Sequence, residues 1–148
     1  MSLGSKLKHY LISSFRELFL YHHSSLEFRA KLFATVIAAN ENVKECEYLF
    51  VQEAGMKIYK DEDRASTLRL TTKEFVKKAH EDNGIGIDEL VEIVVKELKE
   101  VPRYAQKIDL DLLKPVTQCH NDQDILAYQT RILEFFERLK NEYDKNAA

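Results

Sequence analysis

The scarcity of chain-breaking residues constrains this sequence more than any other feature. Only four glycines and two prolines stand in 148 residues. Turn-rich β folds and phosphate-cradling α/β folds need glycine where φ is positive or where backbone meets a ligand. A helical chain does not, so the expected class is all-α. Apolar residues make up 45% and charged residues 32%, enough apolar surface for a core and too much for disorder. The length suits one domain.

Periodicity divides the chain into helices. Residues 6–22 place Leu7, Tyr10, Leu11, Phe15, Leu18 and Phe19 on one face. Residues 26–39 carry two stripes, Leu26–Ala30–Phe33–Ile37 and Phe28–Leu32–Val36–Ala39, with Ser25 as the expected N-cap. Apolar residues on two faces predict a central helix. Asn42 with Glu45 resembles a capping box, opening a helix to Tyr59 with Val43, Cys46, Leu49, Phe50 and Ala54 inward. Lys60–Ser66 is charged and reads as exposed, and its acidic run Asp61–Glu62–Asp63 reads as a solvated loop. Thr71 with Glu74 is a second capping signature, and Gly84 suits a helix stop.

Asp88 then opens a helix that buries Leu90, Val91, Val94, Val95, Leu98 and Val101. After Pro102 a helix covers 103–119 or restarts at Asp109, with Pro115 as a kink. Residues 124–143 close the chain with the stripe Ile125, Tyr128, Ile132, Phe135, Phe136, Leu139 and Tyr143. The expectation is a single-domain bundle of about seven helices, with residues 1–24 as an N-terminal helical extension to a domain at 25–148.

Two segments share a pattern. Asn40 precedes Val43 by three residues and Glu47 by seven; Asp122 precedes Ile125 and Gln129 by the same intervals, 82 residues on. Each follows one apolar helix and opens another, which predicts two helical hairpins about a pseudo-twofold axis. The pattern resembles the TerB-like family, named for a bacterial tellurite-resistance protein. That family's mark is an Ala-rich helix ending in Ala-Asp-Gly, then an apolar residue and an acid at these offsets, twice. Here the first copy reads Ala38–Ala39–Asn40–Glu41 with Val43 and Glu47, and the second Asp122–Gln123 with Ile125 and Gln129. Neither keeps Asp-Gly, and Gln129 stands where an acid is usual. The resemblance spans roughly 26–143. It implies an all-helical domain with its two turns close in space, a link to stress responses, metal binding as proposed for the family, and no established enzymatic activity.

A hard cation wants six to eight oxygens, and Asn40, Glu41, Glu47, Asp122 and Asp124 are the candidate donors. The competing reading is helix capping by Asn40, Asn42, Asp122 and Asp124. Cys46 and Cys119 lack Cys-x-x-Cys spacing and a disulfide framework. They read as two reduced thiols partly in the core, which fits a reducing cytoplasm. Cys119–His120 are adjacent and would need further ligands for zinc. A thiol enzyme would need Cys119 to meet His120 or His80 through tertiary contact.

The net charge of −3 gives no pull toward nucleic acid, and Asn83–Gly84–Ile85–Gly86 lacks the lysine of a phosphate loop. No run of 18 apolar residues exists to span a bilayer. The first helix is weakly basic (Lys6, Lys8, Arg16) and favours a protein over a membrane surface. The expected function is therefore a cytoplasmic, non-enzymatic helical module without a cofactor, binding a protein partner or a second copy. A divalent-cation sensor and a small thiol enzyme are the alternatives.

Overall fold

The computed structural model describes residues 25–81 and 86–147, and every described element is helical. Six α-helices and two 3-10 segments follow one another among the described residues. They are α1 (25–38), α2 (Glu45–Tyr59), α3 (Glu62–His80), α4 (Gly86–Glu100), a 3-10 segment Pro102–Lys107, α5 (Leu110–Leu113), a second 3-10 segment Lys114–Cys119 and α6 (Gln123–Ala147). The all-α expectation of about seven helices holds. The expected first helix at 6–22, the 1–24 extension and the stop at Gly84 lie outside the described residues, and Ser25 stands at their edge.

α1 is the axis of the bundle. Leu26, Phe28, Ala30, Leu32, Phe33, Ala34, Val36 and Ile37 are all buried, as two apolar stripes predict. Its one buried cation, Lys31, is paired with Glu97 of α4. The Lys31 ammonium also lies 5.6 Å from the centre of the Phe75 ring of α3. At the α1 N-terminal end Phe28 stacks on Tyr104 of the first 3-10 segment, ring centres 5.1 Å apart. Arg29 donates to the Tyr59 hydroxyl at 3.1 Å and lies over the same ring.

α2 and α3 pack closely along their length. A Cβ built on Gly55 would lie 2.7 Å from the Ala65 Cα, so the approach depends on glycine. The turn between them is Lys60, in the left-handed region at φ 54°, then Asp61, whose carboxylate accepts from the backbone N–H groups of Asp63 and Arg64. Asp61–Glu62–Asp63 is exposed as expected, but it is a cap and the start of a helix rather than a loop. Thr71 and Glu74 lie mid-helix, where the Thr71 side chain packs inward, so no helix starts there.

Three more boundaries differ from expectation. α2 starts at Glu45 with Lys44 as its N-cap, so Asn42 lies ahead of the helix instead of capping it. Its inward face is Glu47, Tyr48, Val51, Ala54 and Gly55, while Leu49 is 53% exposed. Burial of Glu47 turns the helix away from the face that apolar spacing selects. On α4, Leu90, Val94 and Leu98 are buried, but Val91 and Val95 are only half-buried, as is Val101 just beyond its end. The stretch 103–119 is two 3-10 segments flanking the single turn α5. Asp109 caps α5 and accepts from Asp111 N–H, and Pro102 and Pro115 each open a 3-10 segment where a proline N–H is not missed. Among the described residues no helix is long and apolar enough to cross a membrane.

Candidate functional site

The C-terminal end of α1 leaves carbonyl groups that no later turn of the helix can satisfy. Side chains and backbone from three other segments close on them. The Gln129 amide of α6 donates to Val36 O at 3.0 Å, His80 of α3 bonds Ala38 O at 2.7 Å, and Asn40 N–H donates to Ile37 O at 3.0 Å. Gln129 is fully buried and its amide oxygen accepts from His120 Nε2 at 2.8 Å. His120 Nδ1 in turn accepts from Asp122 N–H at 3.2 Å. These bonds assign the imidazole proton to Nε2. A string of three hydrogen bonds therefore leads from the exposed α6 turn to the α1 carbonyl.

The first copy of the sequence pattern builds a matching string. Asn40 Oδ1 accepts from Asn42 N–H at 3.0 Å, and its amide donates to Glu47 Oε2 at 3.4 Å. The same Glu47 oxygen accepts from Lys44 N–H at 2.8 Å, closing the turn as the third residue of a capping box does. Glu47 is fully buried, and its Oε1 has no hydrogen-bond partner. Burial raises its pKa above the ordinary 4.5, against the lowering effect of the Lys44 N–H, Asn40, His120 and Lys44. Next to it, Tyr48 is pushed up to about 12 by burial and then by Glu47 and Glu45, so its hydroxyl stays neutral.

The two strings are tied together through their chain neighbours: Cys46, before Glu47, and Cys119, before His120, are joined as a disulfide with Cα atoms 5.8 Å apart. This corrects the expectation of two reduced thiols. Nothing in sequence spacing marks the pair, because 73 residues separate the two cysteines and only the packing of α2 against the second 3-10 segment aligns them. Cys119, the nucleophile of the thiol-enzyme alternative, is one half of this disulfide.

The five candidate cation ligands do not gather into one cage. Asn40 and Glu47 are interior and bonded to each other, while Glu41, Asp122 and Asp124 are exposed. Asp122 is engaged as the α6 cap, its Oδ1 accepting from Asp124 and Ile125 N–H at 3.0 and 3.1 Å. Gln129, at the position an acid would hold, has both ends of its amide occupied. Among the described residues no three His, Cys, Asp or Glu side chains converge on a point fit for a metal ion. Asn40, Gln129, His120 and His80 instead form a polar clamp on the end of α1. Of the residues in that clamp, His120 and His80 stood in the sequence analysis only as possible neighbours of Cys119, not as partners of the α1 end. Their only signal was a position just ahead of, or at the end of, a helix.

A second feature lies on the opposite character of surface. α4 and α6 flank a groove of about 300 Å³ lined by Ile87 and Val91 from one side and Tyr128, Ile132 and Phe135 from the other. Asp88 and Arg131 complete its lining. Tyr128, expected in the core, is 37% exposed here. No protein-family model matches the chain, and neither the curated proteins nor the solved structures give a match.

Proposed function

We propose that this chain is a non-enzymatic binding module of the TerB-like type, which seats an amphipathic helix of a protein partner between α4 and α6. The groove is the observation that carries this reading. Ile87 and Val91 are spaced i, i+4, and Tyr128, Ile132 and Phe135 i, i+4, i+7. Two helical apolar stripes with a gap between them suit a third helix packed ridges into grooves. One acid and one base in the lining, Asp88 and Arg131, offer opposite charges to the polar edge of such a helix. The polar cluster at the α1 end is consistent with the same reading, because its groups are engaged in holding the fold.

A place in a stress response belongs to the proposal through the TerB-like resemblance alone. The compartment is drawn two ways. A lasting Cys46–Cys119 bond suits an oxidising compartment, and in a reducing cytoplasm the same pair responds to redox state.

The test is site-specific photo-crosslinking from position 128 in the full chain. The expected result is one adduct that disappears in Val91→Glu and persists in Leu70→Glu, a charge placed on an exposed leucine away from the groove. An adduct unaffected by Val91→Glu overturns the proposal. So does crosslinking only to residues 6–22 of the same chain, which would make the groove an internal contact.

A further inference from the structure

The Cys46–Cys119 bond is placed unlike a fold-making disulfide. Chains that depend on disulfides are small or lack a core. This chain has a contiguous apolar core from α1 through α6, and neither cysteine belongs to it. Both cysteines are half-buried rather than buried, one in the first turn of α2 and one at the last residue of the second 3-10 segment. The bond's immediate chain neighbours are the two side chains that carry the polar strings, Glu47 and His120. Glu47, the residue after Cys46, is fully buried and its Oε1 has no hydrogen-bond partner, so that atom gains from any opening that admits water.

We propose that Cys46–Cys119 is a reversible thiol–disulfide exchange site that takes a dithiol as reductant, and that its opening releases the Asn40–Glu47 and His120–Gln129 turns from each other. In the reductive direction a thiolate of the dithiol attacks one cystine sulfur. The S–S bond breaks, a mixed disulfide forms, and the other cysteine leaves as a thiolate that takes up a proton. The second thiol of the reductant then displaces the mixed disulfide. Two electrons and two protons pass to Cys46 and Cys119, and the reductant departs as its own disulfide. A low-molecular-weight disulfide oxidant reverses the sequence. The core stays closed in both states, and the change is local to residues 40–48 and 116–126.

The experiment compares the full chain as isolated without reductant, the same protein treated with dithiothreitol under native conditions, and the double variant Cys46→Ser/Cys119→Ser. Thiols are counted by alkylation and mass, and amide hydrogen exchange is followed by peptide. The expected result is a bond present on isolation, reduced without denaturant and restored by oxidised glutathione. Amides of 42–48 and 120–126 should exchange at least tenfold faster in the reduced protein and in the double variant, with protection around Phe136 and in α1 unchanged. Two free thiols in an oxidising buffer would overturn the proposal. So would a cystine that yields only on unfolding, equal exchange in both states, or global unfolding of the double variant.

Discussion

Glu47 has surroundings that oppose its charge. Its carboxylate is fully buried, one oxygen is held by Lys44 N–H and Asn40, and the other has no partner. Burial holds its folded pKa above 4.5, so the folded protein binds more protons than the unfolded chain once the pH exceeds that value. The contribution of protonated Glu47 is complete below 4.5 and is lost as pH rises through the folded pKa. Glu47→Gln imitates the protonated form. Its thermal midpoint should match the parent near pH 4 and exceed it increasingly toward pH 7, as a pH series of melting curves would show. A variant less stable at pH 7 would mean that the buried charge is compensated.

Gln129 is the reverse case, an amide where an acid would fail. It must donate to Val36 O and accept from His120 at once, which a carboxylate cannot do. Gln129→Glu should cost about 3 kcal/mol through a lost donor and a charge placed against a carbonyl. Chemical denaturation measures this. A cost under about 1 kcal/mol would show that the α1 end does not rely on the amide.

At the scale of elements, the α2–α3 pair shows why position outweighs propensity. Alanine is the better helix former by about 1 kcal/mol. At position 55, however, a methyl group would meet the Ala65 backbone at 2.7 Å. Gly55→Ala should therefore lower stability by about 1–3 kcal/mol despite the propensity gain. A thermal midpoint equal to or above that of the parent would show that the two helices can separate without loss. Element boundaries were legible where side chain and backbone cooperate locally. Asp109 and Asp122 cap helices near the positions their sequence context suggests. Boundaries misread from sequence have non-local causes. Thr71–Glu74 has the form of a cap, yet α3 already runs through it because Asp61 nucleates the helix ten residues earlier.

At the scale of the whole molecule, the core is one cluster that joins α1 to all the longer helices. Phe33 and Phe136, both in that cluster, are 2% and 0% exposed. Phe33→Ala and Phe136→Ala should each cost about 3–5 kcal/mol, measured by denaturant unfolding with an unchanged slope. Losses below 1 kcal/mol would mean the cluster can collapse around the missing rings.

Scarcity of glycine and proline together with hydrophobic periodicity determined the class of this fold, and periodicity the central place of α1 and the long closing helix, because a 3.6-residue repeat is a property of neighbours in sequence. The 82-residue echo between Asn40–Glu47 and Asp122–Gln129 also pointed to two turns that belong together. Tertiary structure decided what those turns are made for. Whether Glu47 would be buried, whether Gln129 would find Val36 O, and whether Cys46 would meet Cys119 depend on helices brought together from distant parts of the chain. Polar side chains at a helix end can cap, coordinate or face water with the same local sequence. Only the desolvation and partners imposed by the packed bundle select among these.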